Sequence, residues 1–303
     1  LFYIFTSFLL ILAAMLSYIT IKSEKLALQN AKELSESYAQ GYARFIQDKL
    51  NADMGMARSF GHSLYGFQKL LVKQRMSVNK NMMKQIAQNN DDFLAVWTIW
   101  ERRTFDSAWD LAYGRGRFTF YKENGELRWR QEVLDSEGDK KEGAYYKMKV
   151  SKEETVLNPY TFSYSNDVEI LETSLCIPIL EEGEFIGLAG FDISLESYQE
   201  IVNQIEPIKG SNLFLLANNS TFVTHPDEEL LGKPIQEAFQ NLKDTFNIEE
   251  HIAMGEMLSF EFQEEELIYY TFAPITIGKS KQPWSMMMKV PLNNIMEQAR
   301  RDL

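Results

Sequence analysis

The chain has 303 residues, of which 45% are hydrophobic and 13% aromatic, with a formal net charge of −12. That is apolar mass enough for the cores of two ordinary domains, and it excludes a disordered chain. The acidity and the lack of any basic patch with interleaved aromatics exclude a nucleic-acid partner, which needs a positive face for phosphate.

In chain order, the first element is Leu1 to Ile21, LFYIFTSFLLILAAMLSYITI, which carries no charged residue. As a helix it would cover about 30 Å, the thickness of a bilayer's hydrocarbon core, so residues 1–21 read as a transmembrane helix. A signal peptide is the alternative, but its apolar region is usually shorter and no small-x-small cleavage site follows. The missing initiator Met reads as an excerpt whose start lies upstream, and Lys22 and Lys25 argue mildly for the reverse orientation.

Residues 22–80 hold no proline, and apolar residues recur at Ala31, Leu34, Tyr38, Tyr42, Phe45, Leu50, Met54, Ala57, Phe60, Leu64, Phe67 and Leu71. Spacings of three to five predict one amphipathic helix to about Met76, bent at Gly41, Gly55, Gly61 or Gly66 and reaching on the order of 80 Å. A helix of this length runs beside two modules or pairs with its own copy in a parallel dimer; a plain spacer is the simpler reading.

The period then falls to two. LAVWTIW, GRFTFY and the turn Asn124-Gly125 are antiparallel grammar, followed by a polar stretch to Glu154. TSLCIPILEEGEFIGLAGFDISLESYQEIV reads as a strand, a turn at Glu181 to Gly183, a return strand and a helix from about Ser194. YYTFAPITIGKSKQPWSMMMKVPLNNIMEQA repeats that order, with Pro178 and Pro274 standing 96 residues apart. The expected class is α+β, with two similar antiparallel-sheet modules at 81–205 and 206–290 and an exit helix at 291–303 that leads toward a second membrane span. The second module opens near Ser211 with LFLLANNSTFVTHP and a hairpin turn at Ala217 to Ser220.

No catalytic constellation is visible. His62, His225 and His251 are scattered, Cys176 reads as a small core residue, and neither a metal site nor a cofactor motif is predicted. GLAG lacks the spacing of a dinucleotide fingerprint. Trp97, Trp100, Tyr145, Tyr146 and Tyr160 read either as core or as an aromatic cage with hydroxyl handles. Asp192 ends an apolar strand, where an acid needs a partner: it caps the helix at Ser194, a role Ser194 can share, or it faces a ligand.

GRFTFY (116–121), NPY (158–160), the T-S-x-x-x-P-I run (173–179), IGLAGFDISL (186–195), FLLANNSTFVTHPDEELLGKPI and the Trp284 to Pro291 run together resemble the double Cache (dCache) sensor domains of bacterial transmembrane receptors. The likeness covers nearly all of the chain after the span. It implies two PAS-like modules, a ligand in the membrane-distal one, and an Asp at position 192 that holds a ligand ammonium. In amino-acid binders an Arg-x-Trp-Tyr element holds the carboxylate; here Gly143, Ala144, Tyr145 and Tyr146 stand in its place. Tyr160 matches a pocket tyrosine, but the acid expected two residues later is Phe162. The resulting ligand-binding set is Asp192, Tyr160, Tyr146, Tyr145, Tyr121, Arg117 and Trp100. The ligand class is a small polar molecule: an amine, an amino acid or a related metabolite.

The function implied is extracytoplasmic sensing without turnover. The domain would be held at the cytoplasmic (inner) membrane, periplasmic or extracellular, ahead of a methyl-accepting, kinase or cyclase output. A membrane-tethered enzyme or a structural ectodomain is the alternative.

Overall fold

The computed structural model describes residues 2–165, 168–242 and 246–301. Leu1 of the expected span and Asp302 and Leu303 of the expected exit helix lie outside the described residues.

Helix α1 (Phe2–Ser63) is a single helix of 62 residues. From Phe5 to Ile21 it is apolar and largely exposed, uncovered by protein, and the helix is long and apolar enough there to cross a membrane. From Ala27 one stripe turns inward: Ala27, Ala31, Ser35, Ala39, Ala43, Ile46, Leu50, Met54, Ala57 and Phe60, at steps of three and four. The stripe is small in its first half and large in its second. Gly41, Gly55 and Gly61 do not interrupt the helix. It ends where Gly66 adopts φ 75°, a left-handed conformation that glycine takes without strain. Helix α2 (Val72–Gln88) is a separate element packed on the first sheet, so the expected continuation to Met76 is interrupted.

The first sheet has seven antiparallel strands, β1 (Ala95–Glu101), β2 (Arg115–Glu123), β3 (Glu126–Leu134), β4 (Thr155–Val156), β5 (Tyr160–Ser165), β6 (Val168–Glu181) and β7 (Glu184–Ser194), in the order β3-β2-β1-β7-β6-β4, with β5 also pairing β6. Asn124-Gly125 and Glu182-Gly183 close their hairpins with positive φ at both residues, as two-residue turns of this hand demand. The polar stretch after Gly125 is not loop throughout: it forms β3 and a short helix, α3 (Ala144–Ser151). Helix α4 (Leu195–Asn203) leaves β7, and its cap is Ser194, whose Oγ accepts from Glu196 N at 3.2 Å. Asp192 therefore is not the cap.

The second sheet runs β8-β11-β10-β9, from β8 (Asn212–Leu216), β9 (Leu258–Gln263), β10 (Leu267–Ile275) and β11 (Trp284–Pro291). The expected hairpin after Ala217 reduces to isolated bridges, Leu216 to Phe222 and Thr221 to Pro234. Short helices α5 (Ile235–Ala238) and α6 (Ile248–Met254) cover the sheet's far side, and α7 (Leu292–Arg301) packs back on α1. The repeated hairpin-and-helix units are thus β6-β7-α4 and β10-β11-α7.

Both sheets lean on α1, in opposite order to the chain. Ser35 meets Thr271 at 3.5 Å, while Cβ-less Gly61 lies against Ile177. The second module therefore sits nearer the apolar end and the first lies distal. At their junction Arg58 donates twice to Glu154 (2.8 and 2.7 Å), and Glu154 also accepts from Lys279 N of the second module. Burial works against the charge of Glu154, but these donors win and hold its pKa below the usual range. A lowered acid contributes stability above its unfolded pKa and loses it on acidification. Glu154→Gln is expected to cost about 1–3 kcal/mol at neutral pH by urea denaturation. The gap to wild type should narrow as pH falls from about 4 toward the lowered pKa of Glu154; a gap that does not narrow on acidification would place the cost elsewhere.

Candidate ligand-binding site

Period two divides the first sheet into two unlike faces. On β1, Val96, Thr98 and Trp100 turn toward α1 and α2, while Ala95, Trp97 and Ile99 turn away. The register carries this across the sheet: Asp192 lies opposite Ala95 and Ser174, and Glu172 opposite Tyr160. The outward face thus gathers Arg115, Arg117 and Thr119 of β2, Tyr160, Phe162 and Tyr164 of β5, Glu172, Ser174 and Cys176 of β6, and Leu188 and Asp192 of β7. With Trp97, Lys140 and Tyr145 they line a cavity of about 440 Å³, within the range of small-molecule sites.

At its deep end Asp192 is only 4% exposed. Its Oδ1 accepts from Trp97 Nε1 (2.7 Å) and Ser174 Oγ (2.6 Å), and its Oδ2 lies 2.6 Å from the Tyr164 hydroxyl. Tyr160 Oη lies 2.6 Å from Ser174 Oγ. Trp97 reaches the acid because its partner in the ladder is Gly190, where a Cβ would sit 2.3 Å from the indole and 2.6 Å from Leu175 O. Glu172 is fully buried; its Oε2 lies 2.7 Å from the same Tyr164 hydroxyl, and its Oε1 has no partner among the described residues. Burial raises both acids, and proximity to Asp192 helps push Glu172 up to about 9. Burial likewise raises Tyr160 and Tyr164.

The mouth is cationic and already paired. Arg117 Nε donates to Glu132 (2.7 Å) and its guanidinium lies 4.7 Å from the Phe162 ring; Arg115 Nε donates to Asp135 (2.8 Å) and lies 4.3 Å from the Tyr145 ring. Tyr145 Oη donates to the buried Glu101 at 2.6 Å, so this hydroxyl braces α3 against β1. The chemistry is that of a binding pocket: acceptors inside, an aromatic wall, and cations at the rim. No group of three or more metal-ligating acids, histidines or cysteines occurs among the described residues.

Of the seven residues expected from sequence, Asp192, Tyr160, Tyr145 and Arg117 line this cavity. Three do not. Trp100 has the opposite parity on β1 and stacks on Phe67 at 5.0 Å in the α1 core. Tyr121 stacks behind Tyr164 at 5.0 Å as support. Tyr146 neighbours Tyr145 on α3, a helix that turns successive side chains about 100° apart, and is not among the lining residues. Trp97 and Tyr164 were missed as acid-holding donors, and Glu172 and Ser174 as cavity residues, although the parity of Asp192 and its neighbours on β6 points to them. Where the resemblance implies an acid, Phe162 stands; Glu172 on the adjacent strand brings a carboxylate to the same end.

The cavity thus lies on one of two antiparallel sheets carried by one long helix. The double Cache profile, described as a Cache domain, matches residues 21–299, and the chain belongs to that family. Methyl-accepting chemotaxis protein TlpQ of Pseudomonas aeruginosa is 25% identical over 237 residues, 68% of this chain and 31% of that protein. Methyl-accepting chemotaxis protein PscA of Pseudomonas syringae is 31% identical over 84 residues, 28% of this chain and 13% of that protein. The chain thus spans about a third or less of these relatives. Among solved structures, the extracellular domain of mmHK1S-Z2 superposes with a TM-score of 0.70 at 22% identity, covering 88% of this chain and 99% of that one. The ligand-binding domain of the Pseudomonas fluorescens chemoreceptor CtaA in complex with L-isoleucine gives 0.60 at 15% identity, covering 91% and 98%. These likenesses show the fold.

Gly190→Ala is expected to displace Trp97 from Asp192 and to lower stability by about 1–3 kcal/mol, since one of the atoms it would strike is backbone. Urea denaturation together with tryptophan emission checks this; an unshifted spectrum with unchanged stability would contradict the packing argument.

Proposed function

We propose that the chain is the extracytoplasmic small-molecule-sensing domain of a transmembrane signalling receptor, periplasmic or extracellular and anchored in the cytoplasmic (inner) membrane by the apolar start of α1. The ligand, a small polar and cationic molecule such as an amine, an amino acid or a related metabolite, is held in the distal cavity without turnover. The observation that carries this reading is the acid-ended, aromatic-walled cavity around Asp192. The family and the chemoreceptors and kinases it resembles support a sensing role over an enzymatic one. Binding biases a two-state arrangement that α7 passes across the membrane to an output of the methyl-accepting, kinase or cyclase type.

A thermal-shift screen of amines, amino acids, nucleobases and carboxylates identifies the ligand. Asp192→Asn is then expected to weaken the best hit by roughly tenfold to a hundredfold, the cost of a charged hydrogen bond, and Tyr160→Phe by less. Trp100→Phe should lower stability and leave affinity unchanged. Equal binding by Asp192→Asn and the parent would remove the site.

The receptor is proposed to be a parallel dimer through α1. Tyr38, Tyr42 and the half-exposed Phe45 form, with Ile201 and Ile205 of the α4 region, an apolar groove of about 570 Å³ beside the stripe that faces the sheets. Single cysteines at Leu34, Tyr38 and Phe45 are expected to crosslink in membranes, and uniform failure along the helix would count against the dimer.

A further inference from the structure

Of the two acids at the deep end of this cavity, Glu172 has the more room for a ligand: its Oε1 has no partner among the described residues, while Asp192 keeps about one of its four acceptor positions. Asp192 is already served: Trp97 Nε1 and Ser174 Oγ donate to Oδ1, and the Tyr164 hydroxyl reaches Oδ2. Tyr160 adds to this, since Ser174 spends its one proton on Asp192 and so accepts from Tyr160. Glu172 has the converse arrangement: the Tyr164 hydroxyl sits at Oε2, the Tyr160 hydroxyl is near enough to favour its charge, and Oε1 has no hydrogen-bond partner among the described residues, although the residue is wholly buried.

The protons can be counted. Tyr164 Oη carries one hydrogen and lies 2.6 Å from Asp192 Oδ2 and 2.7 Å from Glu172 Oε2. It can donate to one carboxylate; the other contact is short and holds only if that carboxyl oxygen carries a hydrogen and donates to Tyr164. Asp192, with two further donors, is the better anion. The chain therefore runs from Glu172 Oε2–H to Tyr164 Oη, and from Tyr164 O–H to Asp192 Oδ2.

We infer that Glu172 is the second ligand-binding acid of this site, that it is protonated in the ligand-free protein, and that a cationic ligand binds by displacing that proton. The displacement rests on the proposed reading of the cavity as a cation site; the proton count does not. The exchange balances: the carboxylic acid and the ligand cation give a carboxylate–cation pair and one proton released to solvent. The incoming cation needs an N–H to offer Oε1, so primary amines and guanidinium or imidazolium groups fit, and a quaternary ammonium does not. The ionisable and charged groups facing the pair, among the described residues, are Arg117 from β2, Tyr160 and Tyr164 from β5, and Cys176 from β6, with Tyr121 of β2 stacked behind Tyr164. Arg117 favours both carboxylates, but its guanidinium is engaged by Glu132. At Glu172 burial, with the nearby charge of Asp192, outweighs the Tyr164 and Tyr160 hydroxyls and Arg117 together.

The ligand-free protein tests the proton. An acid whose folded pKa is raised stabilises fully below its unfolded pKa and loses that contribution as pH rises to its folded value. Relative to Glu172→Gln, the wild-type folding constant is expected to fall by up to about tenfold per pH unit between about pH 5 and pH 9. Tyr164→Phe, which breaks the relay, should change that slope. A ratio independent of pH would mean that Glu172 is already ionised and would overturn the proposal. The displacement is tested with n-butylamine, which stays protonated over this range. Its affinity should rise with pH by up to about tenfold per unit below the pKa of Glu172, and should be flat in Glu172→Gln. A flat wild-type profile, or no thermal shift, overturns displacement, whereas the role of Asp192 stands or falls separately on the Asp192→Asn screen.

Discussion

The rest of the molecule depends on the inward stripe of α1. Two small sheets, each with one face to bury, would make marginal domains alone. Here a single hydrophobic cluster runs from Phe93, Phe191 and Ile177 of the first module, through Leu50 and Met54 of α1, to Ile275, Trp284 and Met288 of the second. The grading of the stripe sets how closely each module approaches. Alanines and Ser35 allow close approach where α1 passes the second module, and Ile46, Leu50, Met54 and Phe60 fill the space toward the distal sheet. Arg58, Gln47 and Asn51 add directed hydrogen bonds that fix the axial register of the two modules along the helix.

With one face of each sheet committed to α1, the other faces diverge. In the second module that face is filled by rings: Phe214, Phe222, Phe239, Phe246, Phe260, Tyr270 and Phe272, with Phe246 and Phe260 stacked at 3.7 Å. In the first it carries Ser174, Cys176, Asp192 and Glu172, side chains too small or too polar to close it. The same architecture thus yields a packed core in one copy and a cavity in the other, and the difference lies in residue size on alternate positions of the central strands.

That alternation also decides how much was legible from the sequence. The class, the two hairpin-and-helix units, both tight turns and the apolar start followed by a long helix could be read because they depend on local periodicity and turn chemistry. Asp192, Tyr160, Tyr145 and Arg117 came from a family position or an aromatic cluster, and parity places them together. Trp100 failed because a tryptophan on the strand next to the acid is useful only on the right face, and the register linking Trp97, rather than Trp100, to Gly190 is long-range information. β3 and α3 were missed inside a polar stretch, because an edge strand with a half-exposed face lacks the apolar alternation that identifies a central one. Glu172 was overlooked because one buried acid among apolar neighbours carries no local signal; only the β5-β6 register sets it beside Tyr160.

The same strict alternation that gives Glu172 to the cavity gives Leu171 to the other module. The Leu171 side chain lies against Gly232, where a Cβ would stand 3.0 Å away and where φ is 72°. Asn158, which lines the cavity, accepts from Asn219 N of the second module at 3.4 Å. One short segment of β6 and the loop before β5 therefore face a ligand on one side and the second module on the other. A side chain at Gly232 would collide with Leu171 and leave Glu172 untouched, whereas a change at Glu172 would reach the second module only by moving β6 as a unit. Packed interiors resist partial adjustment. The strand that closes the deep end of the cavity is thus mechanically continuous with the module from which α7 returns along α1 toward the apolar end of the molecule.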